Sequence, residues 1–260
     1  MSAQEINDLS ILTSKCQIIE NPPIIETPPI VETPNYIQKM INCINEIKNM
    51  SYLANSACSL TSLTDGKHEE SIKKLLISNG FIQYLQPKLK DKNIKDKKFT
   101  KDMINGSRPS ILPIGYFIHQ PLGTQNNPDF VIQLTKKSLL SLEGKSSQTA
   151  MPMYNSGGVT LNYLYVFASK KINKTVIYMG ASIITQIQIK LLNELIQKQK
   201  KLQDEYNLML KEADTNFRGI SYYTRPMITQ SGCKEKTNYF THKDYKLSED
   251  KVFEYINSLQ

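Results

Sequence analysis

The sequence predicts an α/β fold, a central mixed β-sheet flanked by helices and preceded by a Pro-rich N-terminal arm. Three observations lead there. Apolar residues recur at helical spacing after Tyr36 and again after Asp65. Short apolar runs opening at Asp129, Leu139, Leu161 and Thr175 read as strands. A long helical stretch then covers roughly residues 183–212. A chain of 260 residues can bury one good core, so the organisation reads as an arm over residues 1–35 and a single domain over residues 36–260.

The arm contains a six-residue near-repeat, Ile-Ile-Glu-Asn-Pro-Pro, Ile-Ile-Glu-Thr-Pro-Pro, Ile-Val-Glu-Thr-Pro-Asn. Proline at this density forbids helix or central strand and favours polyproline II, so the segment reads as an extended surface arm or a partner's ligand. From Tyr36, residues Ile37, Met40, Ile41, Ile44 and Ile47 fall on one face of a helix, with Tyr52–Leu63 following. The helix after Asp65 sets Ile72, Leu75 and Leu76 on one face and Lys73 and Lys74 on the other, and Asn79-Gly80 stops it. A mixed lysine and aspartate run at residues 88–101 reads as a solvated loop. Residues 108–127, rich in Pro, Gly and aromatics, read as an irregular segment or broken strand. The tail, Leu247-Ser248-Glu249-Asp250 before Val252, Phe253, Ile256 and Leu259, reads as a capped amphipathic helix that closes the core or a dimer contact.

The chemistry-bearing residues lie on the first two apolar runs. Asp129 opens one, and Glu143 and Lys145 close the next, two positions apart and therefore on the same face of a strand. The polar break Thr135-Lys136-Lys137-Ser138 suits a hairpin loop. If the strands pair, two carboxylates and an ammonium meet. Hard oxygen ligands suit Mg²⁺, and a nearby lysine can orient an attacking water, which is the equipment for hydrolysing a phosphodiester. The competing reading of Glu143 and Lys145 is a solvated charge pair on a strand edge. Glu69 lies three residues before Ile72 and seven before Leu76, so it shares their apolar stripe, while Glu70 is turned about 100° toward the basic face. A first-turn glutamate favoured by the helix dipole is the competing reading of Glu69.

Pro128-Asp129 followed by Glu143-Gly144-Lys145 resembles the PD-(D/E)xK nuclease superfamily, and more narrowly its type II restriction endonucleases. The resemblance spans about Leu63 to Lys211 in the order helix, strand, strand, loop, strand, strand, helix. It implies a restriction endonuclease-like core and Mg²⁺ held by Asp129 and Glu143, with Lys145 catalytic and Glu69 as an extra carboxylate. It further implies cleavage of double-stranded DNA at a short specific sequence by a symmetric homodimer, beside a cognate DNA methyltransferase acting on the same site. The segment after Lys145, carrying Gln148 and Asn155, would then approach the DNA. Arginine is rare here, and its planar fork suits bidentate contact with guanine, which singles out Arg108, Arg218 and Arg225. A structure-selective or repair nuclease of the same superfamily, or a non-catalytic DNA-binding protein, remains open as an alternative.

A formal net charge of +8 suits a polyanionic partner. Cys16, Cys43, Cys58 and Cys233 form no close pair, which argues against a zinc site or disulfide framework and for a reducing cytoplasm. His68, His119 and His242 are scattered, with no ligand or triad spacing. No run is apolar enough for a signal peptide or a bilayer span, so no membrane role is expected.

Overall fold

Strand-forming and helix-forming stretches alternate so that each apolar run finds a face to cover. The computed structural model describes residues 35–52, 65–85, 97–123, 126–155, 158–230 and 239–260. The first half holds α1 (Tyr36–Lys48), α2 (Asp65–Ser78), β1 (Ile82–Gln83), α3 (Lys97–Ile104), β2 (Tyr116–His119), β3 (Phe130–Gln133) and β4 (Leu139–Ser147). The second half holds β5 (Met153–Asn155), β6 (Leu164–Ser169), β7 (Lys174–Met179), α4 (Gln186–Glu212), β8 (Met227–Thr229) and α5 (Tyr245–Ser258). The architecture is α/β. Six strands in the order β1-β2-β3-β4-β6-β7 form a mixed sheet, and β5 and β8 form a separate antiparallel pair. Residues 35–260 make one compact unit.

Strand β4 organises the sheet by pairing with different partners along its length. Its first half is antiparallel to β3, from Gln133 opposite Leu139 to Phe130 opposite Leu142, and the Thr135–Ser138 break closes that hairpin. Its second half is parallel to β6, from Leu142 opposite Leu164 to Ser147 opposite Ser169. Alternation along β6 then serves both faces. Leu164 and Val166 face α1, α2 and α5 in a core with Met40, Ile44, Ile72, Leu76, Val252 and Ile256. Tyr165 and Phe167 join Tyr154, Tyr178 and Tyr239 in a second core on the other face. Its hydroxyls are shared: Tyr154 bonds Tyr178 at 3.0 Å and donates to Gln230 Oε1 at 3.0 Å, so the burial of four phenols leaves no uncompensated polar cost there.

Several expectations needed adjustment. Residues 108–127 contain a true strand, β2, antiparallel to β3. The stretch after Lys145 is not all loop, because β4 runs on to Ser147 and β5 pairs with β8. The long helix starts at Gln186, capped by Thr185 and Gln188, after a 3₁₀ turn over Gly180–Ser182. Gly180 is required in that turn, since a Cβ there would sit 1.9 Å from the Thr160 carbonyl. The last helix begins at Tyr245, ahead of Ser248, and Glu249 meets Lys48 of α1 at 3.0 Å instead of serving a cap. It closes the core, with Val252 and Ile256 fully buried. Cys43 is buried in that core, and burial pushes its thiol up to about 12. The Pro-rich repeat, residues 53–63, the lysines at 88–95, and Cys16, Cys58 and Cys233 lie outside the described residues. No helix among the described residues is long and apolar enough to cross a membrane.

Ile44 is completely buried between α1, α5 and the sheet. Ile44→Ala should therefore cost about 2–5 kcal/mol of unfolding free energy, while Ile187→Ala on the exposed start of α4 should stay within about 0.5 kcal/mol. Chemical denaturation of both variants checks this, and similar midpoints would refute the layer assignment.

Candidate active site

The site forms where β3 and β4 part. The β3–β4 ladder ends at Phe130 opposite Leu142, so beyond that pair β4 has no ladder partner on that side among the described residues. A buried ladder N–H must still find an acceptor. The Gly144 N–H finds the Asp129 carboxylate, donating to Oδ2 at 2.7 Å. Reciprocally, the Asp129 N–H donates to Glu143 Oε2 at 3.0 Å. Lys145, two residues on and on the same face, donates through Nζ to Glu143 Oε1 at 2.5 Å. Asp129, Glu143 and Lys145 are thus brought together. Glu143 is only 1 % exposed, which is costly for a carboxylate unless it is paired.

Helix α2 supplies the next group. Glu69 Oε2 accepts from His119 Nε2 at 2.8 Å and from Gln120 Nε2 at 3.0 Å, both at the end of β2. The His119 ring stacks on Phe130, centroids 4.8 Å apart, which fixes it against the sheet. Gln120 adopts a left-handed φ of +50° while making its contact with Glu69, a conformation that costs roughly 1–3 kcal/mol in a non-glycine residue. On the residue before Glu69, His68 Nε2 lies 3.3 Å from the Val166 carbonyl. Helix α2 packs close to Gly144, where a Cβ would meet His68 at 3.4 Å and Ile72 at 3.5 Å, ordinary van der Waals distances. Glu70 points elsewhere and pairs with Lys73.

The electrostatics follow from crowding acids in a dry cleft. Burial, then the Glu143 and Glu69 charges, push Asp129 up to about 8. Burial also raises Glu143, against the pull of Lys145. Burial raises Glu69 too, but the bonds from His119 and Gln120 outweigh it and hold that carboxyl below its ordinary value. Among the described residues no three His, Cys, Asp or Glu side chains converge as a ready ligand cage. Instead Glu143 is turned to Lys145 and Glu69 to His119. The donor set still fits a hard divalent cation, since Asp129 and Glu143 present neighbouring carboxyl oxygens and Mg²⁺ takes oxygen ligands.

The residues singled out for DNA contact scatter more widely. Gln148 is exposed one position past the end of β4, three residues beyond Lys145. Asn155 stands opposite Met227 in the β5–β8 pair, which brings its segment beside the one carrying Arg225. Arg218 is exposed on a turn whose backbone N–H groups donate to Asp214. Arg108 stacks over Phe99 at 4.6 Å and lines a cavity of about 490 Å³ with Lys136, Lys137 and Ser138. That cavity adjoins the hairpin loop, the end of β3 opposite Asp129, so Arg108 is not beside the carboxylates. Sequence reasoning missed His119, Gln120 and His68. Reading Tyr116–His119 as a strand running into Asp129's would have exposed the first two.

Comparison of the chain with protein-family models, with curated proteins and with solved structures gives no match.

One consequence is measurable without any substrate. A folded pKa raised above the unfolded value means the native state holds a proton that the unfolded chain has lost. The stability tied to neutral Asp129 is complete below about pH 4 and is lost as pH rises through about 8. Asp129→Asn removes the charge but keeps an acceptor for Gly144, so its advantage in thermal stability over wild type should grow across that window, reaching on the order of 1–3 kcal/mol at pH 8. Added Mg²⁺ should narrow the gap by stabilising the wild type alone. A pH-independent gap would show that Asp129 is not the strained acid.

Proposed function

We propose that this chain is a Mg²⁺-dependent nuclease of the PD-(D/E)xK type, a type II restriction endonuclease that hydrolyses double-stranded DNA at a short specific sequence. The observation that carries the reading is the meeting of Asp129, Glu143 and Lys145 where β3 leaves β4. The flanking helices and mixed sheet are compatible with a restriction endonuclease-like core, and α2 adds Glu69 at the rim.

Asp129 and Glu143 would hold the cation, with Glu69 free to assist once its bond to His119 yields. A bound Mg²⁺ supplies Lewis-acid neutralisation of phosphate charge and lowers the pKa of nearby water. The protein's own groups do the rest. Lys145 would orient the attacking water through its ammonium and offset charge developing on the phosphoryl oxygens. Gly144 pins Asp129 Oδ2 through its N–H, so the carboxylate is held in place before substrate arrives. Buried Glu143 and the apolar wall of Phe130 limit competing water. No covalent intermediate on the protein is required. A net charge of +8 draws the polyanion in, and a cognate methyltransferase acting on the same site would protect host DNA.

Asp129→Ala, Glu143→Ala and Lys145→Ala should each lower cleavage of an unmethylated, fully sequenced plasmid by about two to three orders of magnitude or more, with folding intact by circular dichroism. Near-wild-type cutting by Glu143→Ala would refute the assignment. Glu69→Gln should also slow cleavage, and Glu70→Gln should not, because only Glu69 faces His119 and the carboxylate pair. End mapping of the products distinguishes a sequence-specific enzyme from one that cuts only junctions or ends.

A further inference from the structure

Helix α4 is long and carries no buried residue over its 27 positions. Its inner face is used by the chain itself. Ile189 and Leu192 pack on the tyrosine core, Gln203 Oε1 accepts from the Thr224 N–H and hydroxyl at 2.7 Å, and Asn207 brackets the Tyr222 backbone. A second stripe, turned roughly 100° from that face, is apolar and bare. Leu191, Leu195, Leu202, Tyr206 and Met209 are each between 50 % and 60 % exposed. The stripe runs about 27 Å, long enough for a coiled-coil contact of five turns, and it exceeds what scattered surface apolar residues account for.

The pattern is complementary to itself. Leu195, Leu202 and Met209 are spaced by seven and seven, so a two-fold axis at Leu202 brings Leu195 of one helix against Met209 of an antiparallel copy and sets Leu202 against itself. One flank of the stripe, some 40–60° round the helix, carries Lys198 and Glu205, four residues before and three after Leu202. In antiparallel helix pairs like flanks face each other, so this flank meets its own copy and sets Lys198 against Glu205 twice. A parallel copy would set it against the neutral flank of Gln188 and Gln199 and gain no opposite charges.

We infer that α4 pairs antiparallel with α4 of a second copy of this chain, through the Leu195–Leu202–Met209 stripe. The inference rests on the helix alone: its failure removes this route to a homodimer, while metal-dependent cleavage keeps its own test in the Asp129, Glu143 and Lys145 variants.

Analytical ultracentrifugation of the full chain, across a concentration series, should show a dimer. Leu202→Glu should leave a monomer with unchanged circular dichroism, since the side chain supports nothing in the fold. Lys198→Glu alone and Glu205→Lys alone should each raise the dissociation constant about tenfold by setting like charges together at two places. The double variant should recover wild-type association. An equimolar mixture of the two single variants should likewise recover it as a heterodimer, which only an antiparallel arrangement permits. A wild type that stays monomeric at every concentration would overturn the proposal, and so would a dimer indifferent to Leu202→Glu. A monomer destabilised by Leu202→Glu would assign the stripe to a segment of the same chain and overturn it too.

Discussion

The hydrogen bond from the Gly144 N–H to Asp129 Oδ2 stands where an ordinary sheet would have a carbonyl. Strand β4 needs an acceptor there because β3 has departed, and the fold supplies a charged one. Everything acidic about the site follows. Asp129 is drawn into the sheet plane, its own N–H turns to Glu143, and Glu143 in turn requires Lys145. Helix α2, packed on the same strands through Ile72 and Leu76, brings Glu69 to the same end of them. The local departure of one strand thus fixes four side chains with little choice left to any of them.

Support for this arrangement comes from both cores. Leu142 and Val166, flanking the site in register, are buried against Ile72 and Leu76 of α2, so the helix that carries Glu69 is held by the strands that carry the other groups. On the opposite face Tyr165 stands beside Glu143 in register and is bonded to the Thr160 N–H at 3.0 Å. Neither wall can relax far, because close-packed interiors transmit displacement instead of absorbing it. Asp129 and Glu143 are therefore held close together, and the proton that Asp129 retains is the consequence of that crowding and burial.

The sequence revealed the parts of this that depend on period. Alternation and short apolar runs located β3, β4, β6 and β7, and the 3.6-residue stripe separated Glu69 from Glu70 correctly in direction. Glu143 and Lys145 on one face follow from strand geometry alone. What sequence hid was set by tertiary neighbours. His119 and Gln120 lie in a stretch whose Pro and Gly residues disguise a four-residue strand, and their partner Glu69 is fifty positions away. The β5–β8 pair joins segments more than seventy residues apart with only three residues each, too short for any pattern to mark. Arg108 stands out by rarity, a compositional ground that says nothing of place, and it lies at the end of the hairpin away from Asp129.

The charge distribution orders events at the site under the proposed reading. The chain as a whole is cationic, yet the cleft gathers three carboxylates against Lys145 and His119. Long-range attraction would bring a polyanion to the surface, while the acidic groups where β3 and β4 part offer a phosphate no attraction of their own. Lys145 cannot resolve this alone, since its ammonium is already engaged with Glu143. Asp129 and Glu143 would hold a divalent cation under that reading, its charge would offset theirs, and Lys145 would then serve the phosphate. Productive docking would therefore require the cation before or with the DNA, and the coupling runs through one short contact, Lys145 Nζ to Glu143 Oε1. That contact holds the lysine on the face of β4 it shares with Glu143, and under the proposed reading it would be exchanged for one to the substrate.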